Sequence, residues 1–359
     1  MIYLIDTIGN ETGMNLYDKA FHDEFRKKDI DVATLSNFEG DGVLPIIHNF
    51  YHGSRVKKIL GLAKSWAKLF CFKMNHPNDV YVYQSFGLRF IDIIFLVLFV
   101  RRRKSFIVVH DVFEITEGQK GGFKYKLQKF VYTHWVKNII CHSEQAIETL
   151  RNEAGYNGNV LYYPHFRYNF SKFFNEAEII DEVKNTVEPD KVNMLFFGQI
   201  RETKGIDVLI DAFEHIEKIE NLNVIIAGSD KSEIMKSVRL PKNVKAICRY
   251  IKDEELNFLF TKSQVVLLPY KEIYQSGVLE TVVYFQKYAI MSDVTSFRVF
   301  VEKYPSFGIT YTPNNSLALT ECIKQYMTNS CEYSAYDIQK YKDDHDIDIL
   351  KKQMDTILN

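Results

Sequence analysis

Two carboxylates stand eight positions apart in the segment Glu272-Ile-Tyr-Gln-Ser-Gly-Val-Leu-Glu280, directly after the apolar run Val265-Val-Leu-Leu-Pro269. Ser276-Gly277 is a tight-turn pair, and the residues from Val278 onward have an apolar helical pattern. The free N–H groups of Ser276, Gly277 and Val278 would then form an anion site at a helix start. Glu280 falls one turn into that helix and Glu272 before it, so a bound phosphate would be flanked by carboxylates. Carboxylates accept hydrogen bonds from sugar hydroxyls, and a ribose on one side with a hexose on the other would use both. A solvated Glu272 and a helix-turn Glu280 are the plainer alternative.

A second cluster adds positive charge. The run Leu195-Phe-Phe-Gly198 leads into Gln199-Ile-Arg201-Glu-Thr-Lys204-Gly205 and then into an amphipathic helix pattern. A small residue ending the strand, with two cations three apart before a helix, aims charge at the strand's carboxyl end. A diphosphate leaving group needs such charge when no metal supplies it. Singly, Arg and Lys at a helix start face solvent; beside the carboxylate pair they form a specific set.

The chain here resembles glycosyltransferase family 4, the retaining sugar-nucleotide enzymes of the GT-B fold. The likeness rests on the G-x-I-R-x-x-K-G form from Gly198 to Gly205 and on the E-x7-E element from Glu272 to Glu280. The Tyr274-Gln-Ser-Gly-Val-Leu279 variant is similar to that of a bacterial polysaccharide-assembly branch. The resemblance implies that Arg201 and Lys204 hold the nucleotide diphosphate, and that the backbone at Ser276, Gly277 and Val278 binds phosphate. It assigns Glu280 to the ribose hydroxyls and Glu272 to the transferred sugar. Two departures stand out: Gln199 where many members have Arg, and Ile273-Tyr274 in place of a small Gly-Phe pair. Over the first half the likeness is thinner, resting on residues 9–13, on Val109-His110-Asp111 and on strand order. It would place His110 against the donor sugar, where a core histidine capping its strand is the alternative. Gly13, in Gly9-Asn-Glu-Thr-Gly13, would let backbone approach the diphosphate, or simply belong to a turn.

Other patterns are set aside. Asp343-Asp-His-Asp-Ile-Asp348 precedes a helical pattern, where acids are favoured at a helix start. No D-x-D follows a strand, so no metal and no further cofactor is expected beside a nucleotide-diphosphate sugar as co-substrate. Gly118-Gln-Lys-Gly-Gly122 lacks the G-K-[ST] ending of a phosphate loop. No Ser-His-Asp or Cys-His arrangement is specific enough to name a nucleophile.

The elements that must position these residues alternate strand and helix throughout, the pattern of parallel α/β layers. Strand candidates are residues 2–6, 31–36, 80–84, 106–111, 139–143 and 160–163, then 193–198, 223–228, 245–249, 265–269, 288–293 and 308–312. Helical patterns cover 14–28, 206–219, 253–261, 278–286, 316–327 and 347–358. The expected fold is α/β, GT-B, with two doubly wound Rossmann-like domains facing a central cleft. Residues 1–170 form an acceptor-binding domain, 171–190 a linker and 191–359 a donor-binding domain, the last helix being a candidate to pack back on the first. Ligands of such sheets bind at the carboxyl ends of strands.

Charge is uneven. Residues 55–104 hold 11 Lys/Arg against 2 Asp/Glu, although the whole chain has a net charge of −1. Val56, Ile59, Leu60, Ala63, Trp66, Ala67 and Phe70 follow helical spacing, with Lys57, Lys58, Lys64 and Lys68 largely off that stripe and Arg101 to Lys104 beyond. Such a helix suits an anionic membrane surface; a domain-packing helix with an exposed basic face fits the period equally. No nucleic-acid motif accompanies the charge, so no nucleic-acid partner is expected.

A length of 359 residues suggests two domains. The 46% hydrophobic and 25% charged composition excludes disordered, collagenous and disulfide-stapled classes. The 5 cysteines (Cys71, Cys141, Cys248, Cys322, Cys331) lack C-x-x-C pairing and fit a reducing compartment. The run 90–100 is short of the roughly 20 apolar residues of a spanning helix, and the start reads as a strand, not a signal peptide. The expected activity is retaining transfer of a hexose from a nucleotide-diphosphate sugar to a saccharide hydroxyl, the acceptor lipid-linked, in surface polysaccharide synthesis. The expected place is the cytoplasm, peripheral at the inner face of the membrane. A sugar-nucleotide epimerase of the same fold and a noncatalytic nucleotide-sugar-binding subunit are the rivals.

Overall fold

The computed structural model describes residues 1–9, 15–48, 50–113, 122–168, 170, 175–273, 276–329 and 333–359. The chain divides into two compact units, one comprising residues 1–168 with 345–359, the other residues 169–344. In the first unit the strands are β1 (Ile2–Ile5), β2 (Val32–Leu35), β3 (Val43–Leu44), β4 (Val80–Phe86), β5 (Ser105–Asp111), β6 (Asn138–Cys141) and β7 (Asn159–Tyr162). They form a parallel sheet in the order β3-β2-β1-β4-β5-β6-β7. The second unit contains β8 (Val192–Phe197), β9 (Leu222–Ala227), β10 (Val244–Ile247), β11 (Val265–Leu268), β12 (Tyr288–Ser292) and β13 (Gly308–Tyr311). Its parallel sheet runs β10-β9-β8-β11-β12-β13. Both orders are doubly wound and Rossmann-like.

Both faces of each sheet are covered, which is why its central strands are almost continuously apolar. In the second unit Met194, Phe196, Val224, Ile226, Leu267 and Ile290 pack against Ile206, Leu209, Phe213, Leu319 and Ile323 from the flanking helices. In the first, Leu4, Val82, Phe106, Val108, Ile140 and Leu161 meet Tyr17, Phe21 and Phe25 of the helix Asn15–Arg26. β3 escaped the sequence pattern because two residues at a sheet edge have no period to read. The single helix expected over 206–219 is two shorter ones, Ile206–Asp211 and Phe213–Ile216.

Residues 345–359 belong to the first unit, because Ile347, Leu350 and Met354 of the helix Ile347–Leu358 lie in its core. The domain limits differ from expectation over residues 181–190, which are not a free linker. Val183 is buried, Asn223 Nδ2 donates to Thr186 O (2.8 Å), and Asn193 Nδ2 donates to Glu188 O (2.9 Å). Buried amides must find partners, and these two strand residues find theirs in the preceding segment.

Leu350 is fully buried, so Leu350→Ala is expected to destabilise the first unit by about 2–5 kcal/mol. Urea unfolding followed by a probe in that unit measures it; an unshifted transition would place the helix outside the core.

Candidate functional site

The winding of the second sheet reverses between β8 and β11, whose connections leave toward opposite edges. Side chains and loops at the carboxyl ends of those two strands therefore converge. Gly198 follows β8 with φ +122°, and a Cβ there would sit 3.7 Å from Val278 Cγ2, in van der Waals contact. Gly205 has φ +69°, and a Cβ there would fall 1.7 Å from Pro269 O. Lys271 N donates to Thr203 O at 3.1 Å. The loop after β8 is thus laid directly on the loop after β11.

That contact gathers the cations. Arg201 opens the short 3-10 turn Glu202–Lys204, and Lys204 Nζ lies 3.8 Å from the centre of the Tyr270 ring, a cation–π contact. Burial pushes the Tyr270 phenol up, while the Ser276 side chain and the Arg201 charge oppose that rise. Lys204 thus sits on one buried aromatic ring whose phenol also feels Ser276 and the Arg201 charge. Ser276 caps the helix Gly277–Tyr284, its Oγ accepting from Leu279 N at 3.3 Å. The N–H groups of Gly277 and Val278 make no hydrogen bond among the described residues, as the first turn of a helix leaves them. Glu280 is buried one turn along, and its Oε2 accepts a hydrogen bond from Tyr341 Oη. Glu272 is exposed on the loop after β11 and has no ion pair or hydrogen bond among the described residues. Tyr274 and Gln275 lie outside them.

His110 is the next-to-last residue of β5 in the first unit. Its Nε2 is 3.1 Å from Gln84 Oε1, and Gln84 Nε2 donates to Asp18 Oδ1 at 2.6 Å. Phe86 stacks on the ring with centroids 4.5 Å apart. Burial, with His142 and His165 adjoining, holds His110 well below the usual imidazole range. A neutral His110 can donate or accept a hydrogen bond but supplies no counter-charge to a phosphate. Asp6 accepts from Ile8 N and Gly9 N, both at 2.8 Å, where β1 ends. Gly13 lies outside the described residues.

The helix Arg55–Asn75 turns the expected packing inside out. Gly61, Ser65 and Leu69 form its buried face, while Val56, Ile59, Leu60 and Phe70 are exposed beside Lys57, Lys58, Lys64 and Lys68. Trp66 is half-buried, donating from Nε1 to Ile94 O at 3.2 Å. The apolar stripe therefore does not serve core packing. The acids near the C-terminus do structural work: Asp346 caps the helix Ile347–Leu358 and pairs with Lys28 (3.3 Å), and Asp344 accepts from Tyr304 Oη (2.6 Å). Among the described residues no group of three or more His, Cys, Asp or Glu could hold a metal.

Residues 178–344 match the family described as Glycosyl transferases group 1. That match falls within the second unit, residues 169–344. A GDP-mannose:glycolipid 4-beta-D-mannosyltransferase of Xanthomonas campestris pv. campestris is 28% identical over 91 residues, 24% of this chain and 26% of that protein. The matched stretch thus spans about a quarter of that curated relative. Anabaena HepE, solved with UDP-glucose, superposes with TM-score 0.69 at 14% identity over 99% of this chain and 98% of its own. WaaG, a glycosyltransferase involved in lipopolysaccharide biosynthesis, gives 0.63 at 14% identity over 99% of each chain. These likenesses give the whole chain a GT-B fold.

Within the second unit, sequence reasoning named the loop residues and missed two tyrosines. Tyr270 directly follows Pro269, and its neighbourhood to Lys204 needs the pairing of β8 with β11 to be seen. Tyr341 reaches Glu280 from 61 residues downstream, with no local motif to announce it.

In the first unit His142 Nδ1 donates to Tyr163 O (2.8 Å) and Nε2 accepts from Tyr17 Oη (2.8 Å). Burial lowers its pKa to about 4, so acidification from 6.5 toward 4 protonates the unfolded chain first and favours unfolding. An NMR titration of the His142 ring is expected to show a midpoint near 4; one near 6.5 would mean that water reaches it.

Proposed function

We propose that the chain is a retaining glycosyltransferase that moves a hexose from a nucleotide-diphosphate sugar to a hydroxyl of a lipid-linked saccharide in surface polysaccharide synthesis. The observation that carries this reading is the seating of the Arg201–Lys204 loop on the loop after β11, with Lys204 on the Tyr270 ring, where the winding of the second sheet reverses. Two cations and the N–H groups of Gly277 and Val278, unpaired among the described residues, suit a diphosphate. The relatives named above support a nucleotide sugar as donor: one acts on GDP-mannose and another is solved with UDP-glucose.

In the proposed reaction the acceptor oxygen bonds to the anomeric carbon on the face from which the nucleotide leaves. The bond from that carbon to the phosphate oxygen breaks, and the acceptor's proton passes to the departing phosphate. No protein nucleophile is required. Arg201 and Lys204 offset the charge that grows on the diphosphate, so the proposal needs no metal. Glu280, buried one turn into the helix, holds the ribose hydroxyls; exposed Glu272 holds the transferred sugar; neutral His110 offers the sugar a hydrogen bond without charge. Backbone at Gly198 admits the diphosphate closely.

The acceptor side of the proposal draws on the helix Arg55–Asn75. Val56 and Ile59 are 65% and 66% exposed, and Phe90, in the helix Phe90–Leu96 to which Trp66 is hydrogen-bonded, is 70% exposed. Apolar side chains left in water beside Lys57, Lys58, Lys64 and Lys68 match an anionic lipid surface. No helix of the described residues is long and apolar enough to cross a membrane. We place the protein at the cytoplasmic face of the membrane, bound peripherally.

Two experiments test these readings. Release of nucleoside diphosphate from a panel of sugar nucleotides, with lipid-linked saccharide and in EDTA, is expected to proceed. Glu280→Gln should chiefly raise KM, about tenfold, because ribose contacts persist in ground and transition states alike. Glu272→Gln should chiefly lower kcat, by about 10²-fold, because it positions the reacting carbon. Identical kinetic signatures for both, or loss of turnover in EDTA restored by Mg²⁺, would overturn the assignment. Separately, Lys57, Lys58, Lys64 and Lys68 changed together to Gln should release the protein from phosphatidylserine vesicles, each cation contributing about 1 kcal/mol. Unchanged partitioning would remove the membrane reading.

A further inference from the structure

Glu280 is not a lone carboxylate at its helix start. Tyr341 Oη donates to its Oε2, and both side chains are buried, at 5% and 7% exposure respectively. A tyrosine hydroxyl has a single proton to donate, whereas a carboxylate offers about four acceptor sites on two oxygens. One such bond fixes the carboxylate plane without exhausting its capacity. It also keeps the group an acceptor, the character that recognition of two vicinal hydroxyls demands.

Tyr341 is itself held from several directions. Its ring lies 5.4 Å from that of Tyr304 and 5.9 Å from that of Phe307. The helix Ala335–Asp344 that carries it is tied to the preceding segment at three points. Ser306 N donates to Asp337 Oδ2 (2.8 Å), Tyr304 Oη to Asp344 Oδ2 (2.6 Å), and Lys340 Nζ to Lys303 O (2.9 Å). A donor so anchored loses little freedom when it binds the carboxylate, and so it can orient its partner rather than follow it.

We propose that Tyr341 is a positioning residue that orients Glu280 for the ribose hydroxyls of a nucleoside diphosphate and thereby sets discrimination against deoxyribose. The inference rests on the assignment of Glu280 to ribose. Tyr341→Phe removes one oxygen and keeps the aromatic packing, so it is the informative change.

The probes are UDP and GDP, each with its 2′-deoxy counterpart, their dissociation constants measured by calorimetry on the full chain. Wild type is expected to bind one ribonucleotide at least tenfold tighter than its deoxy form. In Tyr341→Phe that ribonucleotide should weaken about tenfold, while the deoxy form changes by less than about twofold, so the ratio falls toward one. A role confined to stability would weaken both forms alike and leave the ratio intact, which overturns the proposal. Wild type that binds none of the probes would instead overturn the ribose assignment itself, separating the two failures. Should Tyr341→Phe not fold, 3-fluorotyrosine at position 341 keeps the ring and strengthens the donor. A shifted ratio then supports the proposal and an unshifted one overturns it.

Discussion

The direct approach of backbone to backbone at the carboxyl ends of β8, β9 and β11 is the constraint on which the candidate site depends. A Cβ at Gly228 would lie 1.7 Å from Gly198 O, and one at Gly205 would lie 1.7 Å from Pro269 O. Gly205 also takes φ +69°, a region that costs residues with side chains about 1–2 kcal/mol before any clash is counted. With no side chain between them, the loop after β8 can rest on the loop after β11. Only that contact lets Lys204 reach the Tyr270 ring and sets Gly198 against Val278. The charges of the site follow from the glycines.

The first unit solves a different problem with the same sheet winding. Its strand ends carry buried polar side chains instead of a cation pair. Asp18, Gln84 and His110 form a hydrogen-bonded chain across the helix Asn15–Arg26, β4 and β5. Burial and the neighbouring Asp6 hold the Asp18 carboxyl well above the usual range. Gln84 gives its N–H to Asp18 and its oxygen to His110, which leaves His110 donating from Nε2. Such chains are costly when any member lacks a partner and rigid when all are satisfied.

Much of this was legible in order along the chain, because parallel strands buried on both faces declare themselves as apolar runs. The runs 193–198 and 265–269 were visible as strands, and Arg201, Lys204, Ser276 and Glu280 were identified from their place just beyond them. What the order of residues could not convey was adjacency across the sheet. Tyr270 is one residue past a legible strand, yet its part in the site appears only when β11 is seen beside β8. Tyr341 lies farther off, on a helix whose polar, tyrosine-rich sequence showed no clear period. Periodicity marks the last helix and its apolar face but not which core receives it; the packing of Ile347, Leu350 and Met354 into the first core answers that.

The helix Arg55–Asn75 shows the same limit from the other side. Its apolar period was plain, and core packing was an equally good account of it. The structure seats the helix instead on Gly61, Ser65 and Leu69, two of which are too small to have counted as a hydrophobic stripe. Small residues let a helix approach its support closely, and Ser65 settles its hydroxyl on Gly61 O at 2.7 Å. The larger side chains on the other faces are thereby released from the core. Exposing them in water forgoes about 25 cal/mol for each Å² of apolar surface, a standing cost that folding does not recover. Burial in lipid would recover it, and the lysines alongside would add electrostatic attraction to the same surface. The helix gives its small face to the core and its large apolar residues to solvent.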